Sequence, residues 1–219
     1  MIINLILFLI IIYRSFKLAE KIISKPPNEF QHIFAPPGSG KTTLASKIVK
    51  DAIKNNKRVY SNVKIAGAYK MTIKDIGVYD MSDSIMIIDE AGSDLSNRSW
   101  HTNLSHEAIK YLKKHRHYNI DIYTFSQSYG DVDNKFRELT TKILMLKKSK
   151  IPFFTKAMAI KKTIDLQNGQ IVEFYEIDRP NNYRFFTPPL WAFFDSWEKG
   201  EKIKEGKPVT YIKEDIIGL

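Results

Sequence analysis

The feature that most narrows what this chain can fold into is the octapeptide Ala35-Pro36-Pro37-Gly38-Ser39-Gly40-Lys41-Thr42. It follows directly on the strand-like stretch Glu29-Phe30-Gln31-His32-Ile33-Phe34 and leads into a helical pattern from Thr43 to Asn55. It fits G-x-x-x-x-G-K-[ST] except that Ala35 stands at the first position. Small residues let successive backbone N–H groups wrap a phosphate, and the helix behind them turns its positive end to the same anion. Pro37, Gly38, Ser39, Gly40, Lys41, Thr42 and Thr43 are therefore the nucleotide-binding candidates. Lys41 is expected to reach the β- and γ-phosphates of ATP, and the Thr42 hydroxyl to ligate Mg2+.

Such a cradle needs a carboxylate on a neighbouring buried strand. Ser84-Ile85-Met86-Ile87-Ile88-Asp89-Glu90 supplies one: a continuous apolar run suits a strand covered on both faces, and its acidic end lies where open α/β sheets bind ligands. Asp89 is the expected second metal residue and Glu90 the residue that polarises the attacking water. A third apolar run, Ile120-Asp121-Ile122-Tyr123-Thr124-Phe125, ends in Ser126-Gln127-Ser128. Its amide Gln127 is a candidate γ-phosphate sensor, the alternative being a simple loop amide. These elements imply an α/β fold, a P-loop NTPase three-layer sandwich with a mostly parallel sheet. Two appendages are expected with it, an N-terminal hydrophobic helix and a C-terminal β-hairpin about Asn168-Gly169.

The N-terminus poses a different problem. From Met1 to Tyr13 the only polar side chain before the tyrosine is Asn4, so no helical face can meet water. The basic residues Arg14, Lys17, Lys21 and Lys25 all follow the run, which reads as an uncleaved membrane anchor with the body in the cytosol. The stretch is short for a span, and a helix docked on protein is the other reading. Ser24-Lys25-Pro26-Pro27-Asn28 breaks any helix. The expected organisation is an anchor over 1–23, a linker over 24–28, an ATPase domain over 29–197 and a charged tail over 198–219, which either docks or stays loose.

The 219 residues carry 34 Lys and Arg against 24 Asp and Glu, a net charge of +10, and no Cys. Disulfides, thiolate zinc sites and cysteine nucleophiles are excluded, and the charge points to phosphate-rich partners or anionic lipid. The densest basic stretch, Lys142 to Lys162, holds seven lysines and no acid around Ile151-Pro152-Phe153-Phe154. It suits single-stranded nucleic acid, or equally a loop lying on anionic lipid; plain solvated charge is a third use. His106, His115 and His117 do not converge by spacing, so a helix packed on the sheet through Ala108, Ile109 and Leu112 accounts for them better than zinc does.

Taken in order, the Gly38-Ser39-Gly40-Lys41-Thr42 loop, Ile87-Ile88-Asp89-Glu90-Ala91, His115-Arg116-His117-Tyr118-Asn119-Ile120-Asp121-Ile122 and Ser126-Gln127-Ser128 carry a resemblance. The chain is similar to the Zot-like family (zonular occludens toxin N-terminal domain) of filamentous-phage assembly ATPases, within the FtsK/HerA group of P-loop motors. The resemblance covers about Phe30 to Trp197. It implies ATP hydrolysis with Mg2+ in a membrane-linked homo-oligomeric ring, typically a hexamer. Working with other phage assembly proteins, such a ring exports or packages DNA, single-stranded by preference. Members commonly carry their span after the ATPase domain, whereas here the apolar run precedes it. Motors of this group borrow an arginine from a neighbouring subunit. Arg137, pushed outward by a short helix capped within Gly130-Asp131-Val132-Asp133, is the first candidate and Arg116 the second, with Arg98 a distant third. A small-molecule kinase and a non-catalytic nucleotide-gated membrane adaptor are the competing functions.

Overall fold

The computed structural model describes residues 12–14, 28–89, 105–132, 137–167, 170–194 and 210–211. Among them a nine-stranded sheet runs in the order β8-β7-β6-β1-β5-β4-β2-β3-β9. Its elements are β1 (Phe30–Phe34), α1 (Lys41–Lys54), β2 (Arg58–Ser61), β3 (Tyr69–Lys70), β4 (Ser84–Ile88), α2 (His106–Lys113), β5 (Asp121–Ser126), β6 (Lys142–Lys148), β7 (Phe154–Gln167), β8 (Gln170–Phe186) and β9 (Thr210–Tyr211). The pairs β6–β1, β1–β5, β5–β4, β4–β2 and β2–β3 are parallel, and antiparallel pairs occupy the two edges. The sheet is thus mostly parallel in its centre, the architecture of P-loop NTPases.

Alternation along β4 shows why the continuous apolar run is needed. Ile85 and Ile87 join one core with Leu44, Ala45, Val49 and Ala52 of α1, while Met86 and Ile88 join another with Ala108 and Leu112 of α2. A strand buried on both faces has no polar position to spare. The two helices so placed make the three layers.

Several local expectations are corrected. The first helix begins at Lys41, two residues before the expected Thr43, because the helix takes over directly from Gly40. The basic stretch from Lys142 to Lys162 is no loop: it forms β6 and the start of β7, paired antiparallel from Ile143↔Ile160 to Lys148↔Thr155. Only its apex is irregular, where Ile151 and Phe153 are exposed. β7 and β8 pair from Phe154↔Phe186 to Gln167↔Gln170, so Tyr183–Phe186 is the far end of one 17-residue strand. In the tail, Thr210–Tyr211 pairs with β3 at the sheet edge.

Of the expected anchor only Ile12, Tyr13 and Arg14 are described, as helical and exposed residues. Among the described residues no helix is long and apolar enough to cross a membrane. The rest of 1–23, Glu90, Arg98, Asp133 and most of the tail lie outside the described residues.

Candidate nucleotide site

Because β1, β5 and β4 are parallel neighbours, the residues following them gather at one edge of the sheet. These are the Ala35–Thr42 loop after β1, Gln127 after β5 and Asp89 after β4, with the Gln127 strand between the other two. The loop is pinned at its start, where the N–H of buried Ala35 donates to the Ser126 carbonyl at 3.1 Å. Lys41 Nζ folds back to donate to the Ala35 carbonyl at 2.9 Å, and the Ser39 N–H donates to the Pro36 carbonyl at 3.2 Å. The cradle is therefore closed by its own bonds, with Lys41 spanning it.

Two glycines make that curvature possible. Gly38 has φ +70° and Gly40 φ +94°, values that side chains resist. A Cβ on Gly40 would also meet Thr155 Oγ1 of β7 at 2.8 Å. Thr155 is buried, so the base of the long hairpin forms the wall behind the loop. Sequence reasoning missed Thr155, which lies more than a hundred residues from the loop and has no motif of its own.

The two helix starts differ in a way that bears on ligand chemistry. α2 is satisfied by its own sequence: Ser105 accepts from the Ala108 N–H, and Glu107 supplies negative charge in the first turn. α1 has glycine as its N-cap, no side-chain capping bond and no acid in its first turn. Its leading N–H groups and positive end are left for an exogenous anion. With Lys41, the Thr42 hydroxyl and the Asp89 carboxylate near by, the residues fit a nucleoside triphosphate with its magnesium: cationic and N–H donors for phosphate, hard oxygen donors for the metal. Thr43 is buried beneath the helix start.

Asp89 is held by its backbone. Asn62, the residue after β2, donates from its amide to the Asp89 carbonyl at 2.9 Å and accepts from the Asp89 N–H at 2.7 Å. Gln127 is exposed, immediately beyond Ser126. Behind that turn lies a buried polar chain. His32 of β1 has Nδ1 2.9 Å from Thr124 Oγ1 and Nε2 3.3 Å from Ser126 Oγ, and the Ser126 hydroxyl donates to the Ser128 carbonyl at 2.6 Å. Burial, reinforced by the charge of Arg137 and opposed by Asp131, lowers the His32 pKa to about 4. The ring is a neutral link between the loop strand and the Gln127 strand.

The arginine candidates sit elsewhere. Ser128 caps a separate short 3-10 helix, Tyr129–Asp131, while the start of the helix expected after Gly130–Asp133 lies outside the described residues. Arg137 then lies over the Tyr129 ring, 4.7 Å from its centroid, and Tyr129 Oη donates to Tyr175 Oη at 3.2 Å. Burial and that bond push the Tyr129 phenol up to about 12. Arg116 and Arg137 both line a groove of about 810 Å³, together with Tyr175, Lys142, Lys161 and Lys162. Its lining runs from Asn28, Glu29 and Thr141, at the starts of β1 and β6, to Tyr129, whose ring lies 5.7 Å from that of Phe34 at the end of β1. The structure thus brings together the loop, Asp89 and Gln127 at one edge, and the two arginines with the basic strands in the groove.

The three histidines separate as well. His115 is buried, with Nδ1 2.9 Å from the Leu112 carbonyl and its ring edge-on to Phe30, while His106 and His117 are exposed. No metal-binding group of His, Asp or Glu is found among the described residues.

Comparison with known proteins agrees with the motif resemblance. Residues 68–173, just under half of the chain, match the family model of Zonular occludens toxin (Zot). Among solved structures, the N-terminal domain of zonular occludens toxin from Neisseria meningitidis superposes with a TM-score of 0.53 at 21% identity, covering 78% of this chain and 100% of that one. The genome packaging NTPase B204 of Sulfolobus turreted icosahedral virus 2, in complex with ATP-gammaS, superposes at a TM-score of 0.44 and 12% identity over 68% of this chain and 97% of that one. Among curated proteins nothing matches the chain. The chain is thus similar to the Zot family over residues 68–173 and shares the fold of the Neisseria domain.

Proposed function

We propose that this Zot-like chain is an ATP hydrolase whose turnover drives movement of phage DNA during virion assembly, by export or packaging. The observation that carries the reading is the unsatisfied start of α1 behind a glycine-curved loop, with Asp89 and Gln127 at the same sheet edge.

The chain's own groups divide the work. The loop N–H groups and the positive end of α1 hold the phosphates, and Lys41 leaves the Ala35 carbonyl for the β- and γ-oxygens. Thr42 and Asp89 are the residues that would hold magnesium, which when bound neutralises charge developing on the phosphates. Glu90 accepts hydrogen bonds from the attacking water and orients it, and Gln127 reports the γ-phosphate through the Ser126 turn to the strand behind it. Arg137, or Arg116 in its place, serves a neighbouring subunit in a homo-oligomeric ring, in keeping with the family. Single-stranded DNA is the favoured cargo, the apolar N-terminal run fixes the ring at the host cytoplasmic membrane, and other phage assembly proteins meet it there.

The test is ATP turnover of the full chain in detergent, across protein concentration, with and without single-stranded DNA. A specific rate that climbs with concentration and again with DNA supports the motor. A rate indifferent to both refutes it in favour of a kinase or a switch.

A further inference from the structure

The parallel ladder between β2 and β4 ends at Ser61↔Ile87, and that between β4 and β5 at Ile88↔Thr124. Asp89 follows directly on the end of β4. What holds it is a side chain. The Asn62 amide oxygen accepts from the Asp89 N–H at 2.7 Å and its amide nitrogen donates to the Asp89 carbonyl at 2.9 Å. Asn62's own N–H donates to the Ile87 carbonyl at 3.3 Å. Beyond this point the β2 backbone turns away, with the Val63 N–H taken by Ser61 Oγ at 3.2 Å. A primary amide carries a donor and an acceptor side by side, as a peptide group does, and only Asn and Gln offer both in that form. Asn62 therefore extends the ladder by one residue where no backbone is available to do so.

We propose that Asn62 is a positioning residue for Asp89. With N–H and carbonyl both engaged, the Asp89 peptide planes cannot rotate, so the direction in which its carboxylate leaves the sheet is fixed before magnesium arrives. Orientation of a metal ligand by a partner that never touches the metal commonly accounts for a factor of about 10 to 100 in metal affinity or activity. The inference rests on the role given to Asp89 above, and its test separates the two.

Turnover of the full chain in detergent is titrated with Mg2+, and binding of a fluorescent ATP analogue is measured in EDTA, for wild type, Asn62→Ala and Asn62→Asp. Asn62→Ala is expected to raise the Mg2+ concentration for half-maximal turnover, and to lower kcat, by about tenfold. Metal-free nucleotide binding should stay within about twofold of wild type, since the phosphate loop is untouched. Asn62→Asp keeps the acceptor for the Asp89 N–H but sets a carboxylate oxygen against the Asp89 carbonyl, so its effect should be at least that of Asn62→Ala. Unchanged Mg2+ dependence in both variants overturns the proposal. So does an equal loss of metal-free binding, which would mark a general structural role. Should wild type bind ATP without hydrolysing it, the hydrolase reading fails, and Mn2+ affinity of the nucleotide complex, read by paramagnetic resonance, decides on Asn62 by the same comparison.

Discussion

Gly40 and Thr155 are in mutual contact across the back of the phosphate loop, so close that a methyl group on Gly40 would stand 2.8 Å from the threonine hydroxyl. Gly40 also has φ +94°, and an L side chain in that region costs on the order of 1 kcal/mol before any contact is counted. Gly40→Ala should therefore weaken nucleotide binding by at least about tenfold and lower the thermal midpoint. Thr155→Ala removes the steric part alone. The double variant should recover some of the lost affinity but not all, and a double-mutant cycle of nucleotide binding measures the share. Strict additivity of the two single variants would mean that the hairpin base does not shape the loop.

His32 titrates in a predictable sense. In the unfolded chain its pKa is the ordinary 6.5; in the fold, burial first and Arg137 second hold it at about 4, despite Asp131. The unfolded state thus takes up the proton first as pH falls. The stability contributed by neutral His32 is complete above about pH 6.5 and is lost progressively down to about pH 4, to the extent of roughly 3 kcal/mol. His32→Gln, which does not titrate, should flatten the dependence of the urea unfolding free energy on pH by up to one proton within that window. Parallel curves for the two proteins would exclude the mechanism.

These two relationships mark the limit of what the sequence discloses. The loop, the β4 strand with Asp89 and the β5 strand with Gln127 are legible in it, since each is a local pattern: a spacing of small residues, or an apolar run with a polar end. Their gathering at one edge follows from parallel pairing, which the strand–helix alternation already implies. What is not legible depends on contacts between distant residues. Nothing local marks Thr155 as the wall behind Gly40, Asn62 as the clamp on Asp89, or His32 as a bridge to Thr124 and Ser126. The basic stretch misleads for the opposite reason: its lysines and aromatics suggest a loop, while pairing with β8 and packing of Leu144, Leu146, Ala157 and Ala159 against the α1 core make it strands. Nothing in the local sequence, likewise, shows that Arg137 lies over the ring of Tyr129.

Within the nucleotide site, binding and turnover should separate by residue. Lys41→Ala removes the side chain that spans the cradle and is expected to abolish ATP binding. Glu90→Gln keeps the volume but orients water poorly, so binding persists while hydrolysis falls on the order of a hundredfold or more. Arg137→Ala should impair turnover only in assemblies. In mixtures of Arg137→Ala with Glu90→Gln subunits, some interfaces join an intact Glu90 to an intact Arg137, and activity should partly return. If no mixture recovers activity and isolated subunits hydrolyse normally, Arg137 does not act on its neighbour.

The groove beside the basic strands decides between two uses of them. Lys142, Lys161 and Lys162 line it together with Arg116 and Arg137, five cations against the three acids Glu29, Glu138 and Asp178, with Tyr129 and Tyr175 joined within. A concave channel that combines cations with aromatic rings suits a strand of nucleic acid, whereas a lipid surface needs cations beside an exposed apolar apex. Replacing Lys142 and Lys161 together by Glu should weaken binding of labelled oligo(dT) by at least about tenfold. It should also reduce the slope of log affinity against log salt by roughly 0.7 for each phosphate that is no longer neutralised. Tyr175→Ala should weaken binding by about 1 to 3 kcal/mol with the salt slope unchanged, since stacking carries no charge. Flotation with phosphatidylserine vesicles should be indifferent to Tyr175 and sensitive to the exposed Phe153 at the apex between β6 and β7. Oligonucleotide binding that survives both groove variants would move the nucleic acid elsewhere on the molecule and leave the groove lysines to solvent.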